Sequence, residues 1–156
     1  GFLSQDIFVY GFPFGFELSS GIKVTSGVVS SLSGISNNFS NMQIDAAIQP
    51  GNSGGPIVDE YGELVGVAVA KVDYQYILDR FKTLPENTNF GIKSSVVENL
   101  LKSLDVVYIN GDASLKDKRK IAKHVADNTI ALDCWSTREA VQEFSREKVF
   151  FLLPKE

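Results

Sequence analysis

Cysteine, histidine and tryptophan occur once each in this 156-residue chain, as Cys134, His124 and Trp135. A single cysteine cannot close an intrachain disulfide, so packing alone must hold the fold. Cys134 reads as a small buried hydrophobe rather than a reactive thiol, and Trp135 as core or a packing contact. No histidine, cysteine or carboxylate cluster has metal-ligand spacing, so neither a metal nor a cofactor is expected. The net charge of −4 gives no electrostatic reason for nucleic acid or an anionic membrane as a partner. No apolar run approaches the ~20 residues that cross a bilayer, and no signal peptide is visible; no membrane span is expected in this chain. What remains is 44% hydrophobic and 22% charged, the composition of a soluble core-former. The length suits one medium domain, or a domain of about 100 residues with an appendage.

One stretch carries chemistry. Asp45-Ala46-Ala47-Ile48-Gln49-Pro50-Gly51-Asn52-Ser53-Gly54-Gly55-Pro56 sets a serine among glycines and prolines, between an apolar run and Ile57-Val58. Glycines around a serine allow a tight turn in which backbone N–H groups converge on one point. An attacking hydroxyl needs such donors, because the tetrahedral intermediate carries a negative oxygen. Ser53 is thus the candidate nucleophile, with the N–H groups of Gly51 and Ser53 as the oxyanion hole. Asn52, Gly54 and Gly55 complete the turn. The plain alternative is a Gly/Ser/Pro loop without chemistry.

Along the chain, strands dominate. Ile7-Phe8-Val9-Tyr10 is a short apolar strand ending at Gly11, and the loop after it places Phe12, Phe14 and Phe16 as wedges. Ile22 to Thr25 and Val28-Val29 are β-branched, and Gly27 between them suggests a bulge or barrel corner. Ser33 to Asn41 is a polar loop, and Met42-Gln43-Ile44 leads into the serine turn. Pro56-Ile57-Val58 and Glu63 to Ala70 form a hairpin across Asp59-Glu60-Tyr61-Gly62, with glycine last at a left-handed position. Asp73 to Leu84 has helical spacing, and Phe90-Gly91-Ile92 is the closing strand. A helix from Val96 to Leu104 follows, with Ser95 and Glu98 in capping-box positions. The predicted fold is mainly β: an antiparallel Greek-key β-barrel over residues 1–104.

Several blocks in order carry a family resemblance: Tyr10-Gly11-Phe12-Pro13-Phe14-Gly15, Val24 to Ser30, Asp45 to Pro56, Gly62 to Val67 and Asn89-Phe90-Gly91-Ile92. Residues 1–104 resemble the second β-barrel of trypsin-like serine proteases of the HtrA/Deg branch. The resemblance implies a serine endopeptidase acting on extended polypeptide. It also implies that the general base and its orienting carboxylate lie in an upstream barrel of the same protein, missing from this chain. His124 falls 71 residues after Ser53, in a cation-rich segment that disfavours imidazolium, and reads as a surface or helix-packing residue. A serine hydroxyl without a base is a weak nucleophile, so the isolated chain is expected to be inactive.

Two other readings compete. One is a non-catalytic peptide-binding module that keeps the groove without the relay. The other is an α/β-hydrolase esterase, since Gly51-Asn52-Ser53-Gly54-Gly55 fits the nucleophile-elbow pattern and Asp105 or Asp112 precedes His124. That elbow needs a helix after the serine, and Gly54-Gly55-Pro56-Ile57-Val58 resists one.

Further expectations follow from the resemblance. Tryptic relatives carry a pocket-base aspartate six residues before the serine, where this chain has Ala47. Ala47 and Ile48 then supply an apolar wall, and Val69-Ala70-Lys71 an edge that pairs with extended substrate. Cleavage after small or medium aliphatic residues is expected. Asn52 lacks the charge to pair with a newly made N-terminal amine, which points to regulation by loop ordering or homo-oligomerisation. The lack of disulfides favours a bacterial-type protein, of cytoplasm or periplasm.

Residues 105–156 depart from the family, with no PDZ-like carboxylate-binding loop. Val106 to Ile109, Ile130 to Leu132 and Val149 to Leu153 read as strands. Helices are predicted from Ser114 to Ala126 and from Ser136 to Arg146, a small α/β appendage. Asn110-Gly111-Asp112 reads as a turn, and the basic run Lys116 to Lys123 as a solvated helix face.

Overall fold

The computed structural model describes residues 1–14, 21–69, 82, 87–109 and 117–132. Six strands form a closed antiparallel barrel: β1 (Asp6–Gly11), β2 (Lys23–Ser31), β3 (Asn41–Ile44), β4 (Pro56–Val58), β5 (Leu64–Val69) and β6 (Asn89–Lys93). Their order around the barrel is β1-β2-β3-β6-β5-β4. Two three-stranded meanders thus meet at the β3–β6 and β1–β4 seams. Consecutive strands β3 and β4 are not neighbours, so residues 45–55 must cross the barrel mouth between them. That crossing contains the serine turn.

Alternation along β1 builds two cores. Ile7 and Val9 are fully buried inside the barrel with Val29, Met42, Ile44, Ala46, Ile48, Ile57, Val65 and Ala68. Each such aliphatic side chain contributes roughly 1.5–3 kcal/mol by leaving water. The outward residue Tyr10 instead joins Val58, Ile121 and Val125, with Phe8 and Ile22 packed against them. Burial raises the Tyr10 phenol above its ordinary pKa. Ile121 and Val125 belong to helix α2 (Lys118–Asp127), described after α1 (Ser94–Ser103). Their i, i+4 spacing puts both on one face, so α2 lies on the outer surface of β1 and β4. Its opposite face is the solvated one, with Lys118, Arg119, Lys120, Lys123 and His124 exposed.

The β4–β5 hairpin matches its sequence reading. Gly62 has φ +82, and Asp59 Oδ1 accepts from the N–H groups of Tyr61 (2.9 Å) and Glu63 (3.0 Å). Elsewhere the structure corrects the sequence reading. Gly27 is no bulge: it pairs with Ile7, and the β2 irregularity falls between Val29 and Ser31. A Cβ at Gly27 would lie 2.2 Å from Asp45 Oδ1, so glycine is required there by the crossing segment. Phe14 is half exposed rather than a wedge, while Phe12 is half-buried.

Helix α1 starts at Ser94 with Lys93 as N-cap and no side-chain cap, so the Ser95/Glu98 capping box does not form. Val106 to Ile109 and Ile130 to Leu132 are not strands. Helix α2 is capped by Asp117, whose Oδ1 accepts from Arg119 N–H at 2.9 Å. The readings for Phe16, Asp73 to Leu84 (Lys82 apart), Asn110 to Asp112, Cys134, Trp135 and the elements beyond them lie outside the described residues.

Glu98 has other partners. Its Oε1 accepts from Lys102 Nζ at 2.6 Å and from Tyr108 O–H at 2.8 Å, folding residues 105–109 back along α1. The hydrogen bond from Lys102, then that from Tyr108, holds the Glu98 carboxyl below the ordinary glutamate value. A depressed folded-state pKa gives stability that is present above the unfolded value and lost as pH falls through the folded one. The Tm difference between wild type and Glu98→Gln should therefore be largest above the unfolded glutamate value and disappear as pH falls through the lower folded one. The contact between α2 and the barrel makes a second expectation. Ile121 is 5% exposed, and Ile121→Ala should cost about 2–4 kcal/mol in denaturant unfolding. A cost near zero would mean that α2 does not hold to the barrel.

Candidate active site

The crossing segment is pinned by the strands around it. Asp45 Oδ1 accepts from the Val28 N–H of β2 at 2.6 Å, and Thr25 Oγ1 donates to the Ala47 carbonyl at 2.8 Å. From β6, Asn89 Nδ2 donates to the Ala46 carbonyl at 2.9 Å, and the bond is buried. Ala46 and Ile48 face the barrel core while Ala47 is exposed. Of the two residues expected to form an apolar wall, only Ala47 therefore presents surface. Ile48 is part of the barrel core.

Six backbone bonds then shape the serine turn. Phe14 N–H donates to Pro50 O (2.8 Å) and Phe12 N–H to Gly51 O (3.2 Å), tying the turn to the chain after β1. Asn52 N–H donates to Gln49 O (2.9 Å), Gly55 N–H to Asn52 O (3.0 Å) and Gly54 N–H to Ala68 O (2.8 Å). Ala68 N–H returns a bond to Gly55 O at 2.9 Å. Gly51 has φ +100, and a Cβ there would lie 2.2 Å from Phe12 O. Only glycine fits that position.

The result is an alternation. The N–H groups of Asn52 and Gly55 are engaged within the turn and that of Gly54 by Ala68 of β5, whereas those of Gly51 and Ser53 have no acceptor among the described residues. The two free donors flank Asn52, which is buried. Ser53 is exposed, and among the described residues no side chain hydrogen-bonds its hydroxyl. His124 is exposed on α2. Val69 ends β5 opposite Phe90, one residue past the carbonyl that holds Gly54. Ala70 and Lys71, expected with it as a substrate edge, lie outside the described residues. Among the described residues no group of His, Cys, Asp or Glu could hold a metal ion.

Sequence reasoning missed Asn89 and Thr25 as supports of the turn. A lone asparagine opening the apolar strand Asn89-Phe90-Gly91-Ile92 was the available signal, since a buried carboxamide needs a partner.

The chain is similar to several known proteins. Residues 3–67 match the family described as Trypsin-like peptidase domain. The chain is 33% identical over 133 residues to uncharacterized protein y4bJ of Sinorhizobium fredii, covering 85% of this chain and 21% of that one. It is 32% identical over 114 residues to Serine protease HtrA-like of Staphylococcus aureus, covering 66% of this chain and 14% of that one. Among solved structures it is similar to the serine endoprotease from Yersinia pestis, with TM-score 0.50, 27% identity, and coverage of 66% and 31% of the two chains. The chain thus spans less than a third of the length of each of these relatives. A six-stranded barrel, a Gly-Asn-Ser-Gly-Gly turn at its mouth and these likenesses show that the chain resembles trypsin-like peptidases of the HtrA-like type.

Proposed function

We propose that this chain is the serine-bearing half of an HtrA-like endopeptidase. The observation that carries the reading is the pair of free N–H groups at Gly51 and Ser53 beside an exposed hydroxyl. Ser53 Oγ attacks the scissile carbonyl carbon and gives its proton to a histidine of an upstream barrel, oriented by an aspartate there. The carbonyl oxygen becomes an oxyanion held by the two amides, the peptide C–N bond breaks, and the histidine returns the proton to the leaving amine. One such donor is worth roughly 2.7–4 kcal/mol of transition-state stabilisation. Gly54 and Gly55 place no side chain over the approach.

Substrate lies extended along the end of β5, pairing with Val69, Ala70 and Lys71 in the β-addition mode. Ala47 at the pocket wall offers no charge to Lys or Arg, so small or medium aliphatic residues occupy it. Residues 1–104 form the protease unit and residues 105–156 an appendage that grips it through α2. Residues 1–104 are two thirds of the chain, so an alignment covering 85% of it takes in part of the appendage. The y4bJ relative supports this appendage as a shared addition.

Fluorophosphonate labelling tests the reading. The full-length protein should label, Ser53→Ala should abolish the label, and the 156-residue chain alone should stay unlabelled. A full-length protein that never labels would favour the non-catalytic peptide-binding module. A peptide-library profile of the full-length protein should be dominated by Val, Ala or Leu at the cleaved position, and dominance of Arg or Lys would sink the specificity assignment.

A further inference from the structure

Asn52 is 2% exposed, and its Oδ1 is a buried oxygen with no hydrogen-bond partner. Native folds leave few such atoms, because an unpaired buried acceptor forfeits the bonds it made with water. The side chain cannot swing out cheaply. The Asn52 N–H is bound to Gln49 O and its carbonyl to Gly55 N–H, both within the turn. The carboxamide lies against Gly11 at the end of β1, where a Cβ would come within 2.6 Å of Oδ1. On either side of Asn52 stand the two unengaged amides.

We propose that Asn52 is a positioning residue whose Oδ1 receives a neutral N–H or O–H donor from a polypeptide segment outside these 156 residues. The bond holds the Gly51–Ser53 turn with both free amides facing the reacting carbonyl. This rests on the reading above, in which a further segment completes the site. The donor is neutral because a buried ammonium would require a carboxylate rather than a carboxamide as its partner. Among the described residues nothing reaches this acceptor, and the reading above sets a further segment against this turn.

The test is Asn52→Leu, which replaces the carboxamide by an apolar group of similar shape, in both the 156-residue chain and the full-length protein. In the shorter chain the variant removes an orphaned oxygen, and Tm should rise by about 2–4 °C. In the full-length protein it strands the incoming donor. Tm should fall by about as much, and fluorophosphonate labelling of Ser53 should slow about tenfold. Asn52→Asp keeps an acceptor oxygen whether ionised or not, and should recover most of the labelling. Tm shifts of the same sign in both proteins overturn the proposal: two rises mean no donor arrives, two falls mean that water or this chain already serves Oδ1. If Asn52→Leu fails to fold only at full length, Asn52→Asp must fold and label, and its failure as well overturns the proposal. A wild-type protein that does not label, with Tm shifts still of opposite sign, removes the protease reading and leaves the socket.

Discussion

The barrel closes only because its fourth strand is reached by a segment that belongs to no strand. Residues 45–55 span from β3 to β4 across the mouth, and their peptide groups cannot join a ladder. Buried backbone groups must nevertheless be paired. The pairing comes from the walls: β2 through Val28 and Thr25, β5 through Ala68, β6 through Asn89, and the chain after β1 through Phe12 and Phe14. Each wall satisfies one or two groups of the crossing. In the serine turn itself, the Gly51 and Ser53 amides have no acceptor among the described residues.

The second core has a different cause. An antiparallel barrel has one face inward and one outward, and most outward residues meet water. On β1 and β4 the outward residues Tyr10 and Val58 are large and apolar, and α2 covers them with Ile121 and Val125. The same β1 ends at Gly11 beside Asn52, and β4 begins directly after the serine turn. Helix α2 therefore buttresses the two strands on which the turn depends, from the side away from the barrel interior.

Local signals were legible in the sequence; signals that needed a distant partner were not. The alternation of Ile7 and Val9, and glycine at the end of Asp59 to Gly62, are local patterns with a single structural solution. Val106 to Ile109 has the β-branched composition of a strand, yet the six strands close into a ring and offer it no edge to join. Ser95 and Glu98 have capping spacing, but β6 runs straight into α1, and Glu98 meets Lys102 and Tyr108 instead. Within the site, the serine turn stood out because glycine and proline mark it. The supports at Thr25 and Asn89 did not, since their partners lie 22 and 43 residues away. Gly27 was read as a bulge or barrel corner, when the reason for it was Asp45 on another segment.

The alternation of engaged and free amides through residues 51–54 has a consequence for how such a chain can change. Bonds at 52, 54 and 55 leave the amides of 51 and 53 without an acceptor among the described residues. Inserting or deleting a single residue between Gln49 and Gly54 would change which amides the Gln49 and Ala68 carbonyls engage. The loops elsewhere on the barrel can lengthen at the modest entropic cost of loop closure. This turn has a quantised length, and drift in the molecule must take place around it.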